Sequence, residues 1–530
     1  INDLIKNSEN AVAAFTDSVL LYSHENPEIL KKYKLRFSDL IFALQQVIKT
    51  NELSVNLSQA ISREMSKNEK ISSDIKLYTS LLKKREELIK IKSIDEKEIK
   101  NINLEIKKIN DEIDHYKNKI LTDYPEFKKN FVNQIASIKG TQENLKEDEA
   151  LIQYTIGRFG SFAFLITSDN YGIMRFKRSG RQKITEKINK IRSSLQLSNN
   201  KPKSFAKKES EELFDTLFSR IDAKDMIKGK NKIIIVPDGP LYALPFELLF
   251  DKENQKWLME KYAVTISPSV YSFSGLNKNV EFNTANSFVG FGDPKIRDTK
   301  LADNSKLKNT IELEFSELFT RGGNVNLKYL KLFPELPETE IELKSIASKF
   351  DKNSKLYLRE DFNENNINSI NLKKYKVVSF ASHALVVGEI DGLSEPAIVL
   401  SLPKKATVDN DGLLTTSEII KLDLDSDLVI LSACNTASSS GKTNSEALSG
   451  LATSFFYSGA RSLLVTHWSI ISETSVDLVS DTFDYLAETN GDLSLALTKA
   501  KIKMMENKKT SHPIYWAPYT LVGRSQINKL

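Results

Sequence analysis

This 530-residue chain predicts an α/β fold built on a parallel-rich sheet flanked by helices, preceded by an all-α region. Three observations carry that reading. Short apolar runs bounded by turn or polar residues recur from about residue 150 onward, separated by helix-like segments, which is how buried parallel strands read. Upstream of residue 150 the apolar residues recur instead at steps of three and four, the helical period. The only cysteine, Cys434, and one of five histidines, His383, each fall just past an apolar run, where open α/β sheets place their ligands.

Residues 1–68 read as helices. Val12, Phe15, Val19 and Leu20 recur at helical spacing, and Leu40, Phe42, Leu44 and Val47 repeat the pattern within 37–48. Tetratricopeptide units pair two helices over about 34 residues, so a degenerate unit of that kind fits here. Residues 69–149 carry the clearest periodicity: Ile99, Ile102, Ile106, Ile109, Ile113, Tyr116 and Ile120 form a heptad seam among Lys, Glu, Asp and Asn. Ile75, Tyr78, Leu82, Leu88 and Ile91 offer it a partner, and Ser93-Ile94-Asp95-Glu96 has the form of a capping box. An antiparallel helical hairpin of about 71–91 against 94–121 follows, intramolecular in preference to a homodimer.

Beyond it, 151–156, 161–166 and 171–176 read as consecutive strands, then helices at 182–197 and 207–227 and strands at 232–236, 262–267 and 287–292. Residues 150–295 thus form an α/β section with no cysteine and no histidine, unable to perform thiol chemistry. Residues 296–333 are polar and read as an inserted loop. Residues 334–530 begin with a helix at 338–350 and a strand near 355–358, then carry the runs 377–381, 428–431 and 462–466. The glycines of GFGD at 290–293 and of Gly322-Gly323 mark turns and match no phosphate-binding pattern.

Composition narrows the function classes. With 40% apolar and 27% charged residues, the chain has the make-up of an ordinary globular protein. The net charge of +5 arises from 75 basic against 70 acidic residues, and acids accompany the lysine pairs almost everywhere. Solvated helix faces account for them, and no zinc cluster, Walker loop or RNA-binding aromatic signature is present, so direct nucleic-acid binding is not expected. No apolar run approaches the roughly 20 residues that span a bilayer, and no membrane association is expected. The first residue is Ile rather than Met, and Ile1–Leu21 lacks the form of a signal peptide, which fits a fragment or processed form with repeats upstream. A single cysteine excludes an intramolecular disulfide and suits a reducing, cytoplasmic setting. Nothing calls for a cofactor or metal.

The thiolate is the nucleophilic form of cysteine and needs a base or cation beside it near neutral pH. His383 supplies the base, 51 residues upstream of Cys434, close to the separation of about 50 seen in caspases.

The segments IIIVPDGPLYALPFELLF (233–250), SFVGFGDP (287–294), LPETEIELKSIA (336–347), VVSFASHA (377–384), DGLLTTSEI (411–419), LVILSACNTA (428–437), EALSGLATSFFYSGARSLLVTHWSI (446–470) and HPIYWAPYTLVG (512–523) together resemble the CHAT family. Its members are caspase-like cysteine proteases related to separase, commonly found behind tetratricopeptide repeats. The resemblance covers roughly 150–525. It implies a caspase-like fold in which 150–295 is the half without a catalytic pair and 334–530 the active half. It also implies Cys434 as nucleophile, His383 as its acid–base partner, and an oxyanion hole from the backbone N–H groups of Ala384 and Cys434. Ala384 stands where the family commonly has glycine. A substrate pocket is expected from Ser432, His467, Trp468 and Ile471, with Asp391 and Glu395 in the loop after His383. His467 is read chiefly as pocket wall, and Trp468 as packing or pocket wall. Ile470, Ile471 and Ser472 stand at the positions where relatives that read a basic P1 residue carry an aspartate, so a neutral or apolar P1 is expected. The small polar loop 437–445 is the candidate gate.

A regulated endopeptidase acting on a protein partner, in bacterial signalling or defence such as activation of a pore-forming effector, is the function the resemblance implies. A protein activator or regulator would bind through the N-terminal helical region. A catalytically silent scaffold is the alternative, and a protease subunit of an RNA-guided complex a further one.

Overall fold

In the computed structural model the described residues are 38–46, 81, 96–123, 135–157, 161–176, 180–198, 201–218, 226–276, 287–296, 330–331, 333–350, 354–385, 396–404, 407, 410–433, 450–468 and 472–527. The chain divides into two compact units, Ile1–Ser137 and Ile138–Leu530.

In the first unit, helix α1 spans 38–46 and helix α2 spans Glu96–Asp123. The heptad seam forms the covered side of α2: Ile109 and Ile113 are buried and Ile102, Ile106 and Tyr116 half-buried, whereas Leu104, off the seam, is 51% exposed. Helix α1 buries Ile41 and Phe42. The Gln46 carboxamide then pairs with the backbone of Ala136, donating to its carbonyl at 2.9 Å and accepting from its N–H at 2.9 Å. Residues 12–20 and nearly all of 71–91, the expected first arm of the hairpin, lie outside the described residues; Leu81 is helical and buried.

The second unit is built on strands β1 (Glu149–Ile156), β2 (Ser161–Thr167), β3 (Tyr171–Phe176), β4 (Lys232–Val236), β5 (Ala263–Ile266), β6 (Phe288–Gly292), β7 (Lys355–Leu358), β8 (Val377–Ala381), β9 (Ala384–Leu385), β10 (Ala397–Val399), β11 (Leu413–Thr415), β12 (Leu428–Ser432), β13 (Ser462–Thr466) and β14 (Tyr519–Gly523). Helices α3 (Arg181–Ser194), α4 (Lys207–Leu217), α5 (Glu338–Ala347), α6 (Gly450–Tyr457), α7 (Ser472–Glu488) and α8 (Leu493–Glu506) flank them. Eleven strands form one sheet in the order β7-β6-β8-β12-β13-β14-β5-β4-β1-β2-β3. The first five are mutually parallel. So are β14, β5, β4 and β1, but β14 runs antiparallel to β13, which reverses the direction of this second block.

Continuous apolar runs such as KIIIV and LVILS form strands because both their faces are covered, and all five residues of each are buried. The reversal at β13–β14 has a functional consequence. Strands β6, β7, β8, β12 and β13 all end on one sheet edge, whereas β4, β5 and β14 end on the opposite one. The predicted α/β class with a parallel-rich, helix-flanked sheet is what the chain adopts.

Two features were not legible in advance. The short antiparallel sheet β9-β10-β11 begins immediately after His383. Beneath it Leu385, Ala397, Val399 and Leu413 pack with Ile296 and Leu330 in a satellite core, so both ends of the polar 296–333 segment are anchored in apolar contact. The second is a correction: Gly290 and Gly292 belong to β6 and not to a turn. A Cβ at either would meet the Leu343 side chain of α5 at 2.9 or 2.7 Å, so their absence of side chain lets α5 settle on the strand. Among the described residues no helix is long and apolar enough to cross a membrane, and no cluster of His, Cys, Asp or Glu is arranged to hold a metal.

Candidate active site

The site is framed by the ends of β8 and β12, which lie side by side with Ala381 opposite Ser432. Beyond this pair the chains stay bound, since the Ser382 N–H donates to the Ser432 carbonyl at 3.2 Å. His383 is the second residue past β8, and Cys434 occupies the same position past β12 in the sequence. Cys434 lies outside the described residues, as do Asp391, Glu395, Ile471 and the loop 437–445. The approach to Cys434 is fixed nevertheless: Ala433 is buried, and its carbonyl accepts from the Thr466 hydroxyl at the end of β13.

The ring of His383 is held from one side. Its Nε2 lies 2.8 Å from the Pro334 carbonyl oxygen, and the Phe333 ring packs on it at 5.1 Å between centroids. A carbonyl only accepts, so Nε2 must carry the proton in this bond, and Nδ1 is left with the lone pair of a base. The Val399 N–H fixes the His383 carbonyl at 2.9 Å, and Ala384 follows, buried, as the first residue of β9. Burial depresses the His383 pKa below its usual 6.5, opposed in part by the Pro334 bond and the charge of Glu338. The imidazole is therefore held toward its neutral, basic form at neutral pH.

The residues assigned to the pocket wall turn inward. The Ser432 hydroxyl donates to Glu342 of α5 and lies 2.8 Å from the Tyr519 hydroxyl. Ser475 completes the group, 2.7 Å from both Glu342 Oε2 and the Tyr519 hydroxyl. Burial raises the Glu342 pKa while the two serine hydroxyls lower it, and burial prevails. His467 is 3% exposed, with Nε2 3.0 Å from Thr520 Oγ1 and its carbonyl held by Arg192 at 2.9 Å. Burial, then the charges of Arg192 and Lys501, push its pKa well below the ordinary value. Trp468 donates from Nε1 to the Ile514 carbonyl at 3.2 Å. Ser432 thus spends its hydroxyl on the interior, and His467 commits Nε2 and its carbonyl there, while its buried Nδ1 has no hydrogen-bond partner among the described residues.

Sequence reasoning missed Glu342, Ser475, Tyr519, Phe333 and the Pro334 carbonyl. Glu342 left a signal: Thr339, Leu343 and Ile346 are the buried stripe of α5, and Glu342 falls on it. A backbone carbonyl leaves none.

An acidic group underlies β11. Glu364, 1% exposed, has its carboxyl pushed up to about 8 by burial first and then by the charges of Asp411 and Glu418. The Asp411 carboxylate accepts from the N–H of Leu413, the first residue of β11, at 3.0 Å. A pKa raised on folding stabilises the native state fully below the unfolded value and loses that contribution as pH rises through the folded one. Glu364→Gln, which mimics the protonated acid, is accordingly expected to raise the melting temperature at pH 9 by ~2–4 °C. At pH 5 the change should be within about 1 °C. An equal shift at both pH values would show that Glu364 is not protonated on folding.

The sequence profile of the CHAT domain family matches residues 207–524. Among curated proteins, Tetratricopeptide repeat protein 28 of Homo sapiens is 25% identical over 342 residues, covering 60% of this chain and 13% of that protein. Its Mus musculus counterpart is 24% identical over 338 residues, with the same coverage of 60% and 13%. The chain therefore spans a small part of the length of these relatives. Among solved structures, separase in the Saccharomyces cerevisiae separase–securin complex is similar at a TM-score of 0.45 and 11% identity, over 98% of this chain and 40% of that one. The Arg-specific cysteine proteinase gingipain R gives a TM-score of 0.35 at 8% identity, over 66% of this chain and 74% of that one.

Proposed function

The chain belongs to the CHAT domain family, and from that premise we propose that it is a regulated cysteine endopeptidase in which Cys434 and His383 cleave a peptide bond of a protein partner. The observation that carries the reading is the His383 ring itself. It sits at the end of β8, in register with the strand that leads to Cys434, with Nε2 committed to the Pro334 carbonyl and Nδ1 free to act as base.

In the reaction, Nδ1 accepts the Cys434 proton and the thiolate attacks the peptide carbonyl carbon. The oxyanion is stabilised by the N–H groups of Ala384 and Cys434. The C–N bond then breaks, His383 returns its proton to the departing amine, and a thioester remains. Water, deprotonated by the same imidazole, hydrolyses that thioester and restores the thiol. Residues 334–530 act as the active half and 150–295 as the half without a pair. The N-terminal helices are the proposed place for a protein activator or regulator. The family context and the single cysteine support a cytoplasmic role in signalling or defence.

A neutral or apolar P1 residue is the proposed preference. The acid nearest Ser432, Glu342, has both carboxylate oxygens engaged by serine hydroxyls and is pushed by burial toward its uncharged form. A buried cationic P1 side chain left without a counter-charge would be costly.

Intact-protein mass spectrometry with peptidyl acyloxymethyl ketones of varied P1, on wild type and Cys434→Ala, tests the proposal. Covalent mass at Cys434 with neutral P1 probes is the expected result. Labelling by Arg or Lys probes alone would refute the P1 preference but keep the protease. Alkylation of Cys434 by small reagents with no peptide probe reacting would favour a silent scaffold.

A further inference from the structure

We propose that Arg359 is a positioning residue for His383, acting through Glu335 and the Pro334 carbonyl; the inference rests on the protease reading given above. Arg359 follows β7 and Asp293 follows β6, on the sheet edge where β8 delivers His383. Both residues have left-handed backbones, with φ of +53° at Arg359 and +46° at Asp293. Residues with side chains persist in that region only where their surroundings over-determine it, and such strain concentrates at functional sites.

Here the surroundings are explicit. The Arg359 N–H donates to the Asp293 carbonyl at 3.0 Å, and its Nη1 lies 3.1 Å from Asp293 Oδ1. The guanidinium then forks onto Glu335, with Nη1 3.2 Å from Oε2 and Nη2 3.4 Å from Oε1. Glu335 directly follows Pro334, whose carbonyl holds His383 Nε2 at 2.8 Å. A second tie lies further along the same segment: the Asp293 N–H donates to Thr339 Oγ1 at 2.7 Å, and that hydroxyl donates to the Leu336 carbonyl at 2.7 Å. Pro337 stiffens the span between the two ties, and Pro334 stiffens the position just before that span.

The network also reaches His383 from its backbone side. The Arg359 carbonyl accepts from the Ser401 hydroxyl, and Ser401 lies just past β10, whose Val399 N–H holds the His383 carbonyl. Arg359 is therefore connected to both the ring and the backbone of the histidine while touching neither. Its side chain is 36% exposed and that of Glu335 30%. Ion pairs so placed add little to stability. A fork of this kind fixes geometry more than it stabilises, since two parallel N–H···O bonds set the angle as well as the distance.

The test reads the imidazole directly. Long-range proton–nitrogen spectra of the full chain labelled with 15N-histidine, assigned for His383 by His383→Asn, report the ring tautomer without any need for turnover. Wild type should show the Nε2-protonated form. Arg359→Gln and Glu335→Gln should each shift the ring toward a mixture of tautomers. Each should also slow probe capture by about 10-fold, with the double variant no worse than either single one. Arg359→Lys, which keeps the charge but not the fork, should recover part of the loss, and it carries the same readouts if Arg359→Gln fails to fold. An unchanged ring in both glutamine variants, or additive losses, overturns the proposal. A ring that shifts in a protein no probe can label upholds the positioning role and removes the protease reading instead.

Discussion

Replacing His383 with alanine is expected to slow the capture of Cys434 by a neutral-P1 acyloxymethyl ketone by about 10²–10⁴-fold, the span a positioned acid–base group contributes. The Nδ1 base is lost while the strand that carries Cys434 keeps its ladder to β8, so reaction with a small alkylating reagent should persist. The wild-type pH profile is set in direction by burial of the ring. Because the His383 pKa lies below 6.5, the acid limb of probe capture should fall below that pH. Stability follows the same sign. Between the depressed folded value and 6.5 the unfolded chain binds the extra proton, so stability rises with pH across this window and is lost as pH falls through it. His383→Ala should therefore lose less melting temperature than wild type between pH 7 and pH 5. His467 and His512, depressed in the same direction by burial, add acid sensitivity of the same kind. A His383→Ala variant that reacts with the peptide probe as fast as wild type would end the acid–base assignment.

Truncation of Lys501 to alanine should cost about 3–5 kcal/mol of folding stability, because it leaves a buried carboxylate without its partner. Lys501 is 1% exposed on α8, its ammonium 2.5 Å from Glu247 Oε1 and 2.7 Å from the Tyr519 carbonyl. Glu247 lies in the helical turn Phe246–Leu248 between β4 and β5, and Tyr519 opens β14, the strand that reverses the sheet. One ammonium thus ties the second strand block to the joint with the first. The paired replacement Lys501→Met with Glu247→Leu should be near neutral or stabilising, since apolar groups of similar volume avoid the desolvation of both charges. Urea unfolding of wild type and the two variants measures both quantities. A single truncation costing less than about 1 kcal/mol would mean that the pair is solvated in solution.

The sequence by itself determined the strands and where the reactive residues fall on them. Runs such as KIIIV and SLLVT are buried on both faces, and that requirement is written in consecutive apolar side chains. His383 and Cys434 stand at matching distances past two such runs, so their common edge was legible once the runs were read as parallel neighbours. Charges on apolar stripes, Glu342 on α5 and Lys501 on α8, were also visible in the helical period, but not what they would meet. Only the tertiary structure decided that Glu342 meets Ser432, that β14 reverses the sheet, and that the Pro334 carbonyl seats the His383 ring. These partners come from separate elements brought together by crossovers: 49 residues divide Pro334 from His383, and 90 divide Glu342 from Ser432. A carbonyl is the same at every residue, so the sequence carries no mark of the one that holds the imidazole. That choice is made past the ends of β6, β7 and β8, where Asp293 and Arg359 meet the 335–339 segment and His383 meets the Pro334 carbonyl.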